Sequence, residues 1–473
     1  MHKFSPQHDS TPLSPAQLDE LATIVGASGI RTHEVSSTLE SGINDGNLDA
    51  GVVLFPESLA EVKAIVCFCN AQSISIVPHG GRTGISGGAE SAVGQVIVQT
   101  TRLRNILSVD EQAGTAVVEA GVTLEQLQSQ VNPRGLGVGI DLAARGTATI
   151  GGMVSTNAGG TEAFRHGVMR HRVLGLEAVL AHGRVFNDLK QVAKANEGFD
   201  IKQLLIGAEG TLGIVTKVAL SLVPLPGGRV SALASCASVA AALRLMHRFR
   251  LAANAELLCV EIMWPDYARV TAAELGKDSL LAFAPDADSL FVILDVASGH
   301  DDAGREHLEQ TLTAAFESSE ITGAVVAKNE RERAEFWLVR DESFLCDRRY
   351  PHGFWYDVSV PHRFLDDYVR ELFRQVHVIH VEFKIFLFGH LGDGNLHLTV
   401  SAGRPLPELE TAVEQAVYNG LEQMGGSFSA EHGIGTHKRA ALVRNVSQEK
   451  LDIMREIKRL FDPNNVMNPA KIL

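Results

Sequence analysis

Two histidines, a carboxylate and a third histidine stand where this chain is best equipped to do chemistry. Residues Gly389–His397 read GHLGDGNLH, and Glu431-His432 come further along. A Gly-Asp-Gly-Asn turn after the apolar run Phe386–Phe388 predicts a β-hairpin, with His390 entering the turn and His397 leaving it. Two imidazoles and a later carboxylate, His390, His397 and Glu431, make a three-ligand set for a divalent metal that leaves one position open for substrate. His432, beside the carboxylate, is the candidate catalytic base, because an imidazole changes charge near neutral pH. Asp393 and Asn395 read as turn formers or supports.

The blander readings of the same residues are concrete. A single histidine near a turn is more often hydrogen-bonded at a surface than bound to metal. His377 and His380 show it, since their HxxH spacing falls on a predicted helix end and says little. What separates His390 and His397 from them is the turn that aims both rings and the second cluster that brings a carboxylate.

Composition narrows the setting. At 473 residues the chain has room for two or three domains, and 45% apolar with 21% charged residues is the profile of a globular protein. A net charge of −14 without a Lys/Arg-rich run argues against a nucleic-acid partner. The lead MHKFSPQHDS lacks the apolar core of a signal peptide and no apolar run reaches bilayer length, so a cytoplasmic location is expected. Five scattered cysteines (Cys67, Cys69, Cys236, Cys259, Cys346) describe neither a disulfide framework nor a cysteine-held iron–sulfur cluster. Any electrons handled here need another cofactor.

The elements that must position these groups fall into two rhythms. Ser58–Gln72 predicts an amphipathic helix carrying Leu59, Val62, Ile65 and Val66 on one face. Strands are expected over Ser73–Val77, Gln95–Gln99 and Thr115–Ala120, a helix from Leu124, and a strand pair turning at His182-Gly183. Pro224, Pro226, Gly227 and Gly228 mark a domain boundary. Beyond it, strands at 229–236, 257–264, 289–296 and 354–360 alternate with helices at 239–251, 302–316 and 331–346. That alternation predicts an antiparallel sheet with helices on one face. A last helix, capped by Ser447 and carrying Leu451, Met454, Ile457 and Phe461, runs into FDPNNVMNPAKIL. The expected division is 1–225, 226–420 and a returning segment 421–473.

Three glycine clusters lie before the boundary. PHGGRTGISGG (78–88) follows a predicted strand directly, and its glycines expose backbone N–H groups of the kind that hold a pyrophosphate. The spacing is neither GxGxxG nor a P-loop. One such loop is equally well an ordinary tight turn. Three in one domain, with TIGGMVSTNAGG (149–160) and GAEGTLGIVT (207–216), suit a single long ligand such as a flavin dinucleotide. Thr83, Ser155, Thr156 and Asn157 are placed to add side-chain hydrogen bonds.

With DLAARGTATIGGMVSTNAGG (141–160), these loops resemble the FAD-binding domain of the vanillyl-alcohol oxidase superfamily. Adding GHLGDGNLH, AEHGIGTHKR (430–439) and DPNNVMNPAK, the chain resembles the branch of FAD-linked D-2-hydroxyacid dehydrogenases. That branch includes D-2-hydroxyglutarate dehydrogenase, D-lactate dehydrogenase and the flavoprotein subunit of glycolate oxidase. The resemblance implies an α+β fold, a two-part FAD-binding domain with an inserted substrate domain of antiparallel sheet and helices. It implies FAD contacts from Pro78, Gly80, Gly81, Arg82, Thr83, Gly84, Ser86 and Gly87 in the first loop. Asp141, Thr149, Gly151, Gly152, Ser155, Thr156, Asn157, Gly159 and Gly160 belong to the second, Gly210, Gly213 and Ile214 to the third, and Asn468 to the tail. Some superfamily members attach FAD through a histidine just after the GG pair. Arg82 stands there, so the FAD is expected to be non-covalent, with His79 a loop residue.

The resemblance further implies zinc as the metal and Arg340 as the group that holds a substrate carboxylate. Arg340's alternative is a surface ion pair with Asp341 or Glu342. Relatives acting on D-2-hydroxyglutarate carry a threonine, a lysine and an asparagine where this chain has Phe344, Trp355 and Thr399. Losing a cation favours a short or hydrophobic D-2-hydroxy acid, because an apolar pocket rejects an unpaired charge by several kcal/mol. The implied activity is oxidation of a small 2-hydroxy acid to the 2-oxo acid, with electrons passed to a separate protein or quinone. A homodimer is compatible with this. The alternatives are an FAD-holding subunit of a larger oxidase complex, inactive alone, and a redox-neutral flavin transferase.

Overall fold

In a computed structural model of the chain, residues 11–32, 39–251, 256–284, 286–298 and 301–473 are described. The residues before 11, most of the polar lead, lie outside them. The chain forms two compact units, one of His2–Leu225 with Glu431–Leu473, the other of Pro226–Ala430. The return crossing therefore falls at the Ala430–Glu431 bond, ten residues beyond the expected one. Ser427 exchanges both backbone hydrogen bonds with Ser359, and Ala430 N–H donates to Asp357, which keeps 421–430 with the inserted unit.

The first unit has two main sheets. Four short strands run in the order Ile30–Arg31, Val53–Leu54, Val96–Gln99, Ile76–His79, the last three parallel. A five-stranded antiparallel sheet is ordered Ile106–Asp110, Thr115–Glu119, Ile214–Ser221, Val173–Val179, Val185–Asp188. The helix Leu59–Ala71 starts where Ser58 Oγ accepts the Glu61 N–H, and buries Val62, Ile65, Val66 and Cys69. The strand expected from Ser73 begins at Ile76, because Ser73 is left-handed at φ 55° and ends the helix rather than opening the strand. His79 is the last residue of that strand and not a loop residue, 2% exposed.

The second glycine cluster is also not a loop throughout. Ile150–Thr156 is helical, with Thr149 Oγ1 accepting the Gly152 N–H. Its glycines answer to packing, since a Cβ on Gly151 would sit 2.5 Å from that of Ala120. Asn157 closes the helix in the left-handed conformation, one of the few non-glycine residues that tolerates it.

The C-terminal helix Gln448–Phe461 is capped by Ser447 and delivers the tail to the parallel sheet. Ile76 N–H donates to Val466 carbonyl and Asn468 N–H to Ile76 carbonyl, both at 2.7 Å, so the tail pairs as a short extra strand. One buried ion pair holds this turn. The Asp462 carboxylate accepts the N–H groups of Val466 and Met467, while Lys458 Nζ binds Asp462 and the carbonyls of Thr211 and Met467.

The inserted unit is built on a seven-stranded sheet, ordered Gly323–Val326, Gly228–Cys236, Leu290–Ser298, Glu256–Met263, Lys384–His390, Asn395–Ser401, Phe354–Ser359, every pair antiparallel. Helices cover both faces rather than the one expected, and the burial pattern shows it: Leu257–Met263 is buried at every position instead of every second one. Tyr267, Phe336, Val339 and Cys346, from the helices Pro265–Glu274, Glu330–Asp341 and Phe344–Arg349, share one core with Met263, Phe291 and Phe386. The single helix expected over 331–346 is two, broken at Glu342-Ser343.

Replacing Lys458 with Met should strand the Asp462 carboxylate, which is 1% exposed. A loss of about 3 kcal/mol is expected, read as a lower Tm or denaturation midpoint. An unchanged midpoint would show that the pair does not hold the tail.

Candidate active site

In the first unit the three loops converge on a cavity of about 400 Å³. Pro78, Gly80, Gly81, Arg82, Thr83, Gly84 and Ser86 line it from the first loop. Thr149, Gly151, Gly152, Ser155, Thr156 and Gly159 come from the second, Gly210, Gly213 and Ile214 from the third, and Glu431 and His432 from the returning segment. Two glycines are sterically required. A Cβ on Gly81 would lie 2.0 Å from the Thr147 carbonyl oxygen, and one on Gly80 2.3 Å from Thr149 Oγ1. Gly84, by contrast, faces open space, with nothing within 4 Å of such a Cβ. Among the described residues the buried Nε of Arg82 has no partner, although its Nη1 donates to Gln99. A cavity walled by backbone and small residues of three glycine loops, with a cationic donor left over, fits a dinucleotide.

Five residues expected at the cofactor stand behind the lining. Asp141 pairs with Arg145, and its backbone carbonyl abuts Gly160. Asn157 accepts the Arg170 N–H. Gly87 packs on Thr436, and Asn468 donates to the carbonyls of Gly88 and Glu209. Gly160 reaches the site indirectly, donating its N–H to Glu431 Oε1 at 2.8 Å. His79 donates from Nε2 to the Ala89 carbonyl. Burial holds that ring neutral, its pKa pushed down to about 3 against that bond and with help from Arg82 and Lys471.

Glu209 was not expected, yet it organises the returning segment. Its carboxylate is buried and accepts the N–H groups of Ile434 and Gly435 at 2.7 and 2.8 Å. Burial raises its pKa, and those two bonds oppose the rise. Ser86 Oγ–H donates to the His432 carbonyl at 2.7 Å. His432 is thus clamped on both sides by cavity residues. The sequence signal was a lone acid inside GAEGTLG, at a left-handed position of φ 49°.

In the inserted unit the hairpin forms as expected, Lys384–His390 against Asn395–Ser401, with Asn395 N–H donating to Asp393 in the turn. It brings His390 Nε2 and His397 Nε2 within 3.4 Å of each other. Behind each ring stands a buried carboxylate that the sequence reading missed. His390 Nδ1 is 2.8 Å from Glu261 Oε1, and His397 Nδ1 is 3.5 Å from Asp357 Oδ1. A carboxylate at Nδ1 favours the proton there and turns the Nε2 lone pair outward. With both lone pairs outward at this separation the rings offer two nitrogen donors to one ion, so the donor set fits a divalent metal.

Arg340 belongs to the same constellation and is not a surface residue. Its guanidinium binds Glu261 through Nε and Nη2 at 2.8 and 2.7 Å, reaches His390 with Nη2, and lies 5.2 Å from the Phe388 ring centroid. Burial alone would raise the Glu261 pKa, but Arg340 and His390 hold it below the usual carboxylate range. Nη1 donates to Asp341 at 3.2 Å, the ion pair foreseen as the alternative. Cross-strand pairing sets Glu261 opposite His390, Asp357 opposite His397 and Trp355 opposite Thr399. Trp355 and Asp357 share a sheet face because side chains alternate, and Phe344 meets Trp355 with ring centroids 5.3 Å apart. His377 and His380 fall at the end of the helix His362–Ile379, apart from this face.

Two family models match the chain: an FAD-binding domain over residues 50–188, and the C-terminal domain of FAD-linked oxidases over 225–472. A probable mitochondrial D-2-hydroxyglutarate dehydrogenase of Oryza sativa subsp. japonica is 34% identical across 89% of this chain and 75% of its own length. A D-2-hydroxyglutarate dehydrogenase of Stutzerimonas stutzeri is 30% identical across 97% and 99%. Among solved structures, p-cresol methylhydroxylase with substrate bound superposes with a TM-score of 0.72 at 15% identity, covering 97% of each chain. Alkyldihydroxyacetonephosphate synthase gives 0.71 at 16% identity, over 98% of this chain and 86% of that one. These last two establish the fold, the vanillyl-alcohol oxidase type with its FAD domain. With glycine loops around one cavity and near-full-length relatives of one kind, the chain belongs to the family of FAD-linked D-2-hydroxyacid dehydrogenases.

Proposed function

We propose that this protein oxidises a short or hydrophobic D-2-hydroxy acid to its 2-oxo acid, using FAD and a divalent metal, and hands the electrons to a separate protein or quinone. The observation that carries the metal reading is the histidine pair with a carboxylate behind each ring. Glu431 is the third ligand in this reading. It follows directly on Ala430, whose N–H is bonded to the same Asp357 that backs His397. A divalent ion on His390, His397 and Glu431, with zinc the leading candidate, supplies a Lewis acid for the substrate's carboxylate and hydroxyl oxygens. FAD in the glycine-lined cavity supplies the acceptor for the α-hydrogen and its electron pair.

The chain's own groups do the rest. His432 takes the hydroxyl proton, and its backbone is held by Ser86 and by the Glu209-bound turn so that the ring needs little reorganisation. Arg340 orients the substrate carboxylate through Nη1. Its contact there, Asp341, is the most exposed of its partners and the easiest to displace. Phe344, Trp355 and Thr399 form the wall beyond, and its aromatic character supports an apolar side chain over a second carboxylate.

Anaerobic titration of the yellow protein with D- and L-2-hydroxy acids tests the core of this reading. Bleaching by D-acids, lost with EDTA and restored by Zn²⁺ or Mn²⁺, is expected, and bleaching indifferent to chelator would remove the metal from the mechanism. The isolated chain should turn over with an artificial dye acceptor; failure to do so would favour a partner-dependent subunit. A kcat/KM higher on D-2-hydroxyglutarate than on D-lactate or longer alkyl hydroxy acids would overturn the substrate preference. His397→Ala should lose metal and flavin reduction together while FAD stays bound. Asp357→Asn should weaken metal binding by roughly 10–100-fold in a chelator competition, leaving flavin content intact. Glu209→Gln leaves one of two amides without a good acceptor, so amide exchange at Ile434 and Gly435 should quicken by about tenfold or more. Unchanged exchange would mean that Glu209 does not position the base.

A further inference from the structure

We propose that Asp347 is a specificity residue of this site, an acid set beneath the aromatic wall that turns away substrates bearing a second carboxylate. The proposal rests on the acid-binding reading above and names the feature that excludes dicarboxylates. Trp355 and Thr399 lie one step, about 7 Å, along their strands from Asp357 and His397, on the same sheet face. A substrate held at the histidine pair with its side chain running along these strands would meet them. The Phe344 and Trp355 rings there are 57% and 40% exposed, an open apolar surface.

Asp347 is the charged group at that wall. It stands on the helix Phe344–Arg349, one turn after Phe344. A Cβ on Gly353 would be 3.6 Å from Asp347 Oδ1 and 2.3 Å from Thr399 Cγ2, so the acid and the threonine crowd one spot. Both Asp347 oxygens are buried, and among the described residues no well-formed hydrogen bond reaches either. Burial pushes the carboxyl up to about 7, only partly offset by the Trp355 indole and the helix backbone. The nearby cations are directed elsewhere: the Arg349 guanidinium and Lys384 Nζ both lie over the Tyr350 ring, at 5.6 and 5.3 Å. Above about pH 7 a second carboxylate arriving at the wall meets a buried anion, and that repulsion fades as the acid takes up a proton at lower pH. An alkyl side chain meets two aromatic faces. The wall thus sets aromatic contacts for an alkyl group beside a repulsive acid, and selectivity between related ligands commonly uses both an attractive and a repulsive element.

Three variants test this, assayed at pH 8.5 so that the carboxyl is ionised. Asp347→Asn should raise the kcat/KM ratio of D-2-hydroxyglutarate to D-lactate by about tenfold, the scale of one like-charge contact in a partly screened site. The Kd ratio of 2-oxoglutarate to pyruvate, read from the flavin absorbance of the oxidised protein without turnover, should move the same way. Trp355→Lys alone should gain little, because the new ammonium pairs with Asp347. Combined with Asp347→Asn it should gain more than the two single changes together. Both ratios unchanged within twofold in Asp347→Asn, or the full gain from Trp355→Lys alone, would overturn the proposal. A wild-type protein that itself prefers D-2-hydroxyglutarate would sink the substrate reading of the previous section, while the shift between wild type and Asp347→Asn would still decide the role of Asp347.

Discussion

Two imidazole nitrogens facing each other at 3.4 Å, each with a buried acid at its back, constrain everything around them. The acids are costly to bury, so the unit must supply partners for all their oxygens. Glu261 is satisfied by Arg340, His390 and the Cys259 thiol, Asp357 by Asn395, the Ala430 N–H and His397. The sheet register exists to bring these together. A one-residue slip of the Asn395–Ser401 strand would send His397 to the opposite face and cost Asp357 its partners on that strand. The aromatic packing of Tyr267 on Phe388 and of Phe388 against His397 stiffens the same patch.

The first unit solves a different problem, holding a long polar ligand against backbone. Its loops are glycine-rich because other chain segments approach within van der Waals contact, as Thr147 does to Gly81 and Ala120 to Gly151. The returning segment is welded into this unit by two acids, Glu209 and Glu90, and by a tail that bridges to Ile76. Glu431 and His432 follow directly on Ala430, so the residues proposed as ligand and base inherit the order of the cavity wall. The Gly160 N–H bonded to Glu431 makes the second glycine loop part of that order.

The family is shared with enzymes named D-2-hydroxyglutarate dehydrogenase, and the proposed substrate preference rests on the wall of Phe344, Trp355 and Thr399. A tilted aromatic pair over a buried acid is an unfavourable place for an anion. Family membership settles the type of chemistry through the parts that hold the flavin, whereas substrate choice depends on a few side chains at one end of two strands. These can diverge without disturbing the fold, because Phe344 and Trp355 are surface-facing and pack little core.

Much was legible along the chain wherever local rules suffice. The Gly-Asp-Gly-Asn turn, the Ser58 and Ser447 caps and the apolar periodicity of their helices depend on neighbours within a few residues, and so did the hairpin that aims His390 and His397. The three glycine clusters announced a ligand cavity for the same reason. What tertiary structure alone decided were the partners. Glu261 looks like any single acid in an apolar strand, and Asp357 like an alternate polar residue; only cross-strand register sets them opposite His390 and His397. Arg340 was expected at a substrate carboxylate, with a surface ion pair as the alternative, but its buried partner Glu261, 79 residues away, could not be read from the sequence. The helix within TIGGMVSTNAGG was hidden because its glycines serve packing against Ala120 rather than a turn. Sequence spacing reports chemistry that lies close along the backbone, but charge burial is settled by whichever distant group can compensate it, and that is a property of the folded chain.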